Sequence, residues 1–301
     1  MPSSPWTIQS LIHTTAGYFE RKGVDNPRLN AEVLLAHLLG CRRLDLYLRF
    51  DQPLREDELD GYRELVRRRA LREPLQYIRG LQEFWSLDFE VGPGVLIPRP
   101  ETEILLQEAF RLMKGGRVPG EGTPRVLDLG TGTGVLAVCT SLEMAGARVW
   151  ASDCSQAALD TARKNAGRHN VAERIRFVRG DLLAPFRQGN RGFDLILSNP
   201  PYVGSEEFED LEPEVRDHEP RQALDGGPGG MEIIRRILTD APFHLSSGGR
   251  LLVEMDPRQM DEALETADTV GVYDRPEPVR DYHRRYRVLS LAMGRPSGGK
   301  P

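Results

Sequence analysis

RVLDLGTGTGVLAV, residues 125–138, is the stretch whose reading decides the fold. Arg125 to Leu129 is a short aliphatic run of strand type. Gly130, Gly132 and Gly134 then break it, and VLAVCTSLEMAG continues as an apolar run of helical length. Strand, Gly-rich turn and helix form the first half of a βαβ unit. Downstream the alternation repeats. ARVWASD, RIRFVRGD, FDLILSN and GRLLVEM read as strands, and SQAALDTARKNAGRHN as a helix between two of them. Strands separated by helices imply an α/β, doubly wound parallel sheet with helices on both faces. A last run, YRVLSLAM (286–293), follows a turn-rich stretch and reads as an edge strand; the tail GRPSGGKP reads as disordered.

Upstream of this alternation the pattern differs. Residues 1–80 read as a small all-α domain. WTIQSLIHTTAGYFERKG is a helix stopped at Gly23, and NPRLNAEVLLAHLLG has Asn26 as N-cap, Pro27 at the first helical position and Gly40 as C-cap. LREDELDGYRELVRRRALREP is a third, more charged helix. Alternating residues on either side of Gly92-Pro93-Gly94 predict a connecting β-hairpin within a junction at 81–100. IPRPETEILLQEAF then starts a helix near Pro100-Glu101, and the large domain spans 101–301.

Bulk properties narrow the function classes. The 301 residues are 39% hydrophobic and 28% charged, with no apolar run of membrane-spanning length and no signal or transit pattern in MPSSPWTIQS. Cys41, Cys139 and Cys154 are odd in number and have no CxxC spacing, which points to reduced thiols and a cytoplasmic protein rather than a disulfide frame or a metal site. Cys139 and Cys154 read as packing residues. The net charge is −5, although residues 1–80 carry +2. That balance argues against a nucleic-acid backbone as partner. GxSxG, HExxH, GxxxxGK[ST] and CxxC are all absent from the chain.

The chemistry concentrates at strand ends. LDLGTGTG (127–134) is not the dinucleotide fingerprint, because its third glycine would fall on Val135. Asp128, two positions before the first glycine, would repel a pyrophosphate but suits a cationic ligand such as S-adenosylmethionine. Gly130, Thr131, Gly132, Thr133 and Gly134 offer bare backbone to it. Asp153, 23 positions after Gly130, ends the second strand and can accept from both ribose hydroxyls. Asp181, after the third, can accept from an adenine amino group, with apolar Leu182 beside the ring. Three such elements on successive strands converge on one crevice. The fourth strand ends in Asn199-Pro200-Pro201-Tyr202. Two prolines stiffen the turn. The Asn199 side-chain oxygen and the Pro200 carbonyl can each accept one hydrogen of a planar NH2 group, and Tyr202 can stack on a flat π system. Such a clamp orients a carboxamide or a base amine, nitrogens that are poor nucleophiles.

EPLQYIRGLQEFWSLDFEVGPGVLIPRPETEIL, VLDLGTGTGVLAV, GDLL, FDLILSNPPYV and EPRQALDGGPGGMEIIRRIL occur here in the order typical of one family. The chain resembles the peptide chain release factor N5-glutamine methyltransferases, class I S-adenosylmethionine-dependent enzymes. The hairpin with IPRPETE is the specific part, whereas NPPY is shared with adenine N6-methyltransferases. The resemblance implies a seven-stranded Rossmann-like methyltransferase sheet. It also implies methyl transfer to the glutamine amide of the GGQ motif in class I release factors, with S-adenosylhomocysteine as product, no metal, and no nucleic-acid or membrane partner. It places the cofactor at Gly130 to Gly134, Asp153, Asp181, Leu182 and Asn199, and the substrate glutamine at Asn199, Pro200, Pro201 and Tyr202, with Asn199, Pro200 and Tyr202 catalytic. The helical domain 1–80 becomes the substrate-recognition part. Two positions depart from the family pattern: LLVEMDPRQ lacks a Gly-rich ending, and Leu182 stands where some relatives carry an aromatic. A ribosomal-protein glutamine, an adenine base, and a non-catalytic S-adenosylmethionine-binding adapter are the alternative readings.

Overall fold

The computed structural model describes residues 6–119, 123–186 and 192–294; the tail from 295 onward, read above as disordered, lies outside them. In chain order the helices α1 (Ile8–Arg21), α2 (Pro27–Leu38), α3 (Arg43–Tyr47), α4 (Glu56–Ala70) and α5 (Leu75–Arg79) come first. The strands β1 (Leu81–Phe84) and β2 (Leu87–Glu90) follow, then α6 (Thr102–Lys114). The alternation continues with β3 (Arg125–Leu129), α7 (Val135–Glu143), β4 (Arg148–Asp153), α8 (Gln156–Arg168), β5 (Ile175–Arg179) and β6 (Phe193–Ser198). After α9 (Pro213–Arg216) come α10 (Glu232–Asp240), β7 (Leu245–Glu254), α11 (Met260–Val270), β8 (Tyr273–Arg280) and β9 (Tyr286–Met293). Among the described residues no helix is long and apolar enough to cross a membrane.

The chain divides into two compact units, 1–81 with 212–218, and 82–211 with 219–301. In the first unit, Ile8, Ile12, Phe19, Leu34, Leu35, Leu46 and Tyr62 form the core. The Tyr62 hydroxyl donates to the Ala31 carbonyl at 2.9 Å. Buried Arg69 donates to Asn30 Oδ1 and to Glu214 Oε1, both at 2.8 Å, which ties residues 212–218 into this unit. Asn26 precedes α2 as read, but in the left-handed region and without a side-chain cap. The short α3 and α5 have no periodic signal, being only 5 residues each.

The second unit is built on a seven-stranded sheet of order β5-β4-β3-β6-β7-β9-β8. β3 to β7 are parallel, while β9 runs antiparallel to both β7 and β8. Alternate residues of the strands feed two cores. Val126, Leu195, Leu197 and Leu252 face the layer that contains α6 and α7. Leu127, Leu129, Ile196, Leu251 and Val253 face the layer of α10 and α11. Burial on both faces explains why these strands read as continuous apolar runs, and each fully buried Leu or Ile contributes roughly 1.5–3 kcal/mol.

Two expectations are corrected. β9 is not an edge strand; β8, YDRPEPVR, covers it. Two prolines and alternating charge made β8 read as a turn, yet an edge strand tolerates Pro, and its pairing is interrupted between Asp274 and Glu277, around Pro276. The hairpin turns at Trp85-Ser86 rather than at 92–94. Both residues have positive φ, 54° and 58°, values a two-residue hairpin turn requires and Gly or Asn usually supply. Glu103 Oε1 accepts from the Trp85 amide at 3.0 Å, which offsets part of that strain.

Asn165, on α8, joins this hairpin to the Gly-rich turn. Its Oδ1 accepts from the Glu90 amide at 2.7 Å, and its Nδ2 donates to the carbonyls of Glu90 (3.0 Å) and Thr133 (2.9 Å). The side chain is fully buried. Asn165→Ala is expected to lower the unfolding free energy by roughly 2–4 kcal/mol, since it orphans buried backbone groups. A urea-denaturation midpoint equal to that of the wild type would contradict the assignment.

Candidate functional site

The chain enters the sheet at its centre, moves outward through β4 and β5, and returns to β6 on the other side of β3. This reversal opens a crevice at the carboxyl ends of the strands, the place where open α/β sheets hold ligands. A cavity of about 780 Å³ lies there, lined by Gly130 to Thr133, Asp153, Asp181, Leu182, Asn199 and Pro201 among others. Its volume is in the range of small-molecule sites.

The glycines divide by role. Gly130, Gly132 and Gly134 all have positive φ. A Cβ at Gly130 or Gly132 would meet nothing within 4 Å, so their bare backbone borders open space. A Cβ at Gly134 would come 2.9 Å from the Ala162 Cβ. Gly134 does not line the cavity; it admits α8 to the turn. Asp128 sits behind the turn and not on the cavity wall. Its Oδ2 accepts from the Thr131 hydroxyl at 2.6 Å and from the Ala137 amide at 3.0 Å, so it staples strand to helix. Burial pushes its pKa up to about 7. The charge the sequence offered to a cationic ligand is thus spent on the loop itself.

Asp153 Oδ2 accepts from the Gly132 amide at 2.9 Å, and its Oδ1 accepts from the Ser155 amide at 2.8 Å and from the Cys154 thiol at 3.8 Å. Oδ2 keeps a second lone pair for a ribose hydroxyl, and the thiol is the weaker of the two donors on Oδ1. Ser155, not Asp153, caps α8. Asp181 is paired with Arg236, itself a cavity residue, and Leu182 adopts positive φ (43°) beside it. Cys154 is exposed on the cavity wall rather than packed, and partial burial beside Asp153 raises its thiol pKa; Cys139 is buried. Bare backbone flanked by carboxylates at the ends of β4 and β5 fits the neutral and cationic parts of an adenosyl sulfonium ligand.

At the end of β6, Asn199 Nδ2 donates to Thr102 Oγ1 at 2.9 Å. That bond leaves the side-chain oxygen of Asn199 as the acceptor end. Pro201 lines the cavity with Asn199, whereas Pro200 is buried and neither it nor Tyr202 is on the wall. Tyr202 packs against the α10–α11 core. Burial, with Glu254 close by, raises the pKa of its hydroxyl. The sequence reading put Tyr202 against a ligand; the geometry puts it behind the turn.

The turn is held from outside. Val203 exchanges hydrogen bonds with the segment at 224–226, donating to the Leu224 carbonyl at 2.9 Å and accepting from the Gly226 amide at 2.8 Å. Gln259 Nε2 donates to the Tyr202 carbonyl at 2.8 Å. A Cβ at Gly230 would fall 2.0 Å from the Tyr202 carbonyl oxygen, and one at Gly226 would fall 2.7 Å from that of Pro201. These glycines therefore let two backbones touch. Buried Glu219 accepts from the Ile97 amide at 3.0 Å and from Arg99 at 2.5 Å, fastening the IPRPETE segment. Thr102, Gly226, Gly230, Glu219 and Gln259 were not singled out by sequence reasoning. The glycine run in LDGGPGG was the one available signal.

Two family models match the chain: the PrmC N-terminal domain over residues 10–80 and the methyltransferase small domain over residues 112–213. A release factor glutamine methyltransferase of Geobacter sulfurreducens is 45% identical over 269 residues, covering 89% of this chain and 91% of the relative. One from Rhodopirellula baltica is 39% identical over 288 residues, covering 96% and 97%. The human MTRF1L release factor glutamine methyltransferase is 37% identical over 259 residues, covering 83% and 76%. Among solved structures, the human METTL16 catalytic domain in complex with a MAT2A 3′UTR hairpin aligns with a TM-score of 0.55 at 16% identity, covering 77% of this chain and 83% of that one. That likeness bears on the fold alone.

Asp153→Ala removes the acceptor at the end of β4 and frees the Gly132 amide. Charged hydrogen bonds contribute about 1.5–3 kcal/mol each, so S-adenosylmethionine should bind about 10- to 100-fold more weakly. Calorimetry giving an unaltered dissociation constant would remove Asp153 from the site.

Proposed function

Since this chain belongs to the release factor glutamine methyltransferase family, we propose that its acceptor is the side-chain amide nitrogen of the glutamine in the GGQ motif of class I release factors. At the coarser level, it is an S-adenosylmethionine-dependent protein glutamine methyltransferase of release factors. The observation that carries the finer reading is the Asn199–Thr102 hydrogen bond of 2.9 Å. It turns the oxygen of the Asn199 amide into an acceptor for an incoming NH2 group.

S-adenosylmethionine, when bound, supplies an electrophilic methyl group on a sulfonium. Gly130, Thr131, Gly132 and Thr133 would border it, with Asp153 at the ribose and Asp181 and Leu182 at the adenine. The chain's own part is orientation. The substrate amide gives a hydrogen to Asn199 Oδ1, which orients the plane of the nitrogen and aims its lone pair. An amide nitrogen is a weak nucleophile, so a near-attack geometry matters more here than a strong base. As positive charge builds on that nitrogen, the Asn199 oxygen dipole stabilises it without reorganising. The nitrogen's proton then becomes acidic and leaves to solvent. Pro200 and Tyr202 act by holding the turn, Pro200 through its fixed φ and Tyr202 through its packing against the core. The helical unit, where Leu44, Leu48 and Leu71 stand exposed, is the part read as recognising the release factor.

Asn199→Ala should keep S-adenosylmethionine affinity within about threefold and lose turnover by about 10²–10³-fold, the scale of one removed transition-state contact. The assay is transfer of labelled methyl to purified release factor, with the label mapped by mass spectrometry. Label on a residue other than the GGQ glutamine would overturn the substrate assignment, and wild-type turnover in the variant would overturn the clamp.

A further inference from the structure

Glu254 ends β7 and is fully buried, and neither of its carboxyl oxygens has a hydrogen-bond partner. Parallel pairing sets Ser198 opposite Val253, so Asn199 and Glu254 follow side by side at the carboxyl ends of β6 and β7. A buried carboxyl without a hydrogen bond is costly, and such groups concentrate where function demands them. Burial pushes its pKa up to about 7, opposed by the Thr102 hydroxyl and by the Arg287 and Arg99 guanidiniums and reinforced by Glu101. Those groups, with the Tyr202 hydroxyl, are the charged and titratable neighbours that face it from α6 and the segment before it, from β9 and from the turn after β6. Arg287 is in turn paired with Asp281, and Arg99 with Glu219.

The same Thr102 hydroxyl accepts the Asn199 amide hydrogen. A hydroxyl both donates and accepts. On its own it would serve either end of an asparagine amide, and which end faces the cavity is settled by partners, not by shape. If the Thr102 hydrogen is taken by a carboxylate, its oxygen can only accept. The Asn199 nitrogen must then face Thr102, and the Asn199 oxygen must face the cavity. A protonated carboxyl can itself donate to Thr102 and frees the Thr102 hydrogen for the Asn199 oxygen, so the amide can turn over. A hydrogen bond from Thr102 would satisfy one of the two orphaned Glu254 oxygens.

We propose that Glu254, acting through the Thr102 hydroxyl, is the positioning residue that sets which end of the Asn199 amide is presented to the substrate. It touches neither substrate nor cofactor. The inference rests on the clamp reading above and deepens it: methyl transfer is switched by the hydrogen-bonding state of a carboxyl one layer behind the cavity. The ionised form holds the productive amide, so kcat should rise with pH through about 7.

The test compares the wild type, Glu254→Gln, Thr102→Val and Thr102→Ser on intact release factor between pH 5.5 and 8.5. A glutamine both donates and accepts, as the protonated acid does. Glu254→Gln should therefore lose kcat by about 10- to 100-fold at pH 8, keep the wild-type dissociation constant for S-adenosylmethionine, and show a flat kcat profile where the wild type rises. Thr102→Val should lose kcat similarly, and Thr102→Ser should restore most of that loss. Wild-type kcat and pH profile in Glu254→Gln would overturn the proposal. So would equal losses in kcat and cofactor affinity, which a merely structural role produces. If Glu254→Gln does not fold, the Thr102 pair decides alone: full kcat in Thr102→Val, or no rescue by Ser, overturns it. Asn199→Ala run in parallel separates the two readings. An active Asn199→Ala sinks the clamp itself, whereas an inactive one beside a normal Glu254→Gln sinks only the role of Glu254.

Discussion

The hydrogen bond from Asn199 Nδ2 to Thr102 Oγ1 is the constraint on which the site depends. It joins the end of β6 to the start of α6, 97 positions away in the chain. An asparagine amide is symmetric in outline, and only its partners distinguish oxygen from nitrogen. With its nitrogen engaged by Thr102, Asn199 is left with its oxygen as the acceptor end. Everything that holds Thr102 in place therefore belongs to the site: the buried Glu219 that fastens Ile97 and Arg99, and the Glu103 contact to the hairpin turn.

The second requirement is close backbone approach. A rigid Asn-Pro-Pro-Tyr turn is of use only if it does not drift relative to the strand that bears it. The segment 224–230 lies against it so tightly that only residues without a Cβ, Gly226 and Gly230, permit the contact. Gln259 adds a third fastening from the far side, bridging the Tyr202 and Gly229 carbonyls. The turn is stiff because proline fixes φ, and it is located because its neighbours carry no Cβ there.

Buried ionisable groups mark where the polar layer meets the sheet. Asp128 and Glu254 are both fully enclosed, both raised to about 7, and both at the carboxyl end of a central strand. Their surroundings separate them. Asp128 has two donors on one oxygen and serves the Gly-rich turn. Glu254 has none and lies beside Asn199 at the end of the neighbouring strand. An unpaired buried carboxyl in a well-packed core is hard to account for by stability, since an apolar residue of like size would cost less.

Much of this was legible in the residues. Aliphatic runs at β3, β4, β6 and β7 are two-face-buried strands, and no pattern other than a parallel sheet accommodates them with helices between. The glycines after β3, the carboxylates after β4 and β5, and NPPY after β6 fall at strand ends by chain order alone. Local composition misled where it competes with tertiary context. YDRPEPVR looks like a turn because Pro cannot sit in a central strand, yet it makes a sound edge. Trp85-Ser86 looks like strand, yet it turns the hairpin because Glu103 holds it. What the amino-acid order determined by itself is the sequence of elements and the chemical inventory at their ends, because propensity and periodicity are local. Only the tertiary structure decided that Gly134 faces a helix and not a ligand, that Asp128 is spent on its own loop, that Tyr202 stands behind its turn, and that Thr102 and Glu254 back Asn199. Each of these is a contact between residues far apart in the chain, and a contact of that kind leaves no periodic trace in the sequence.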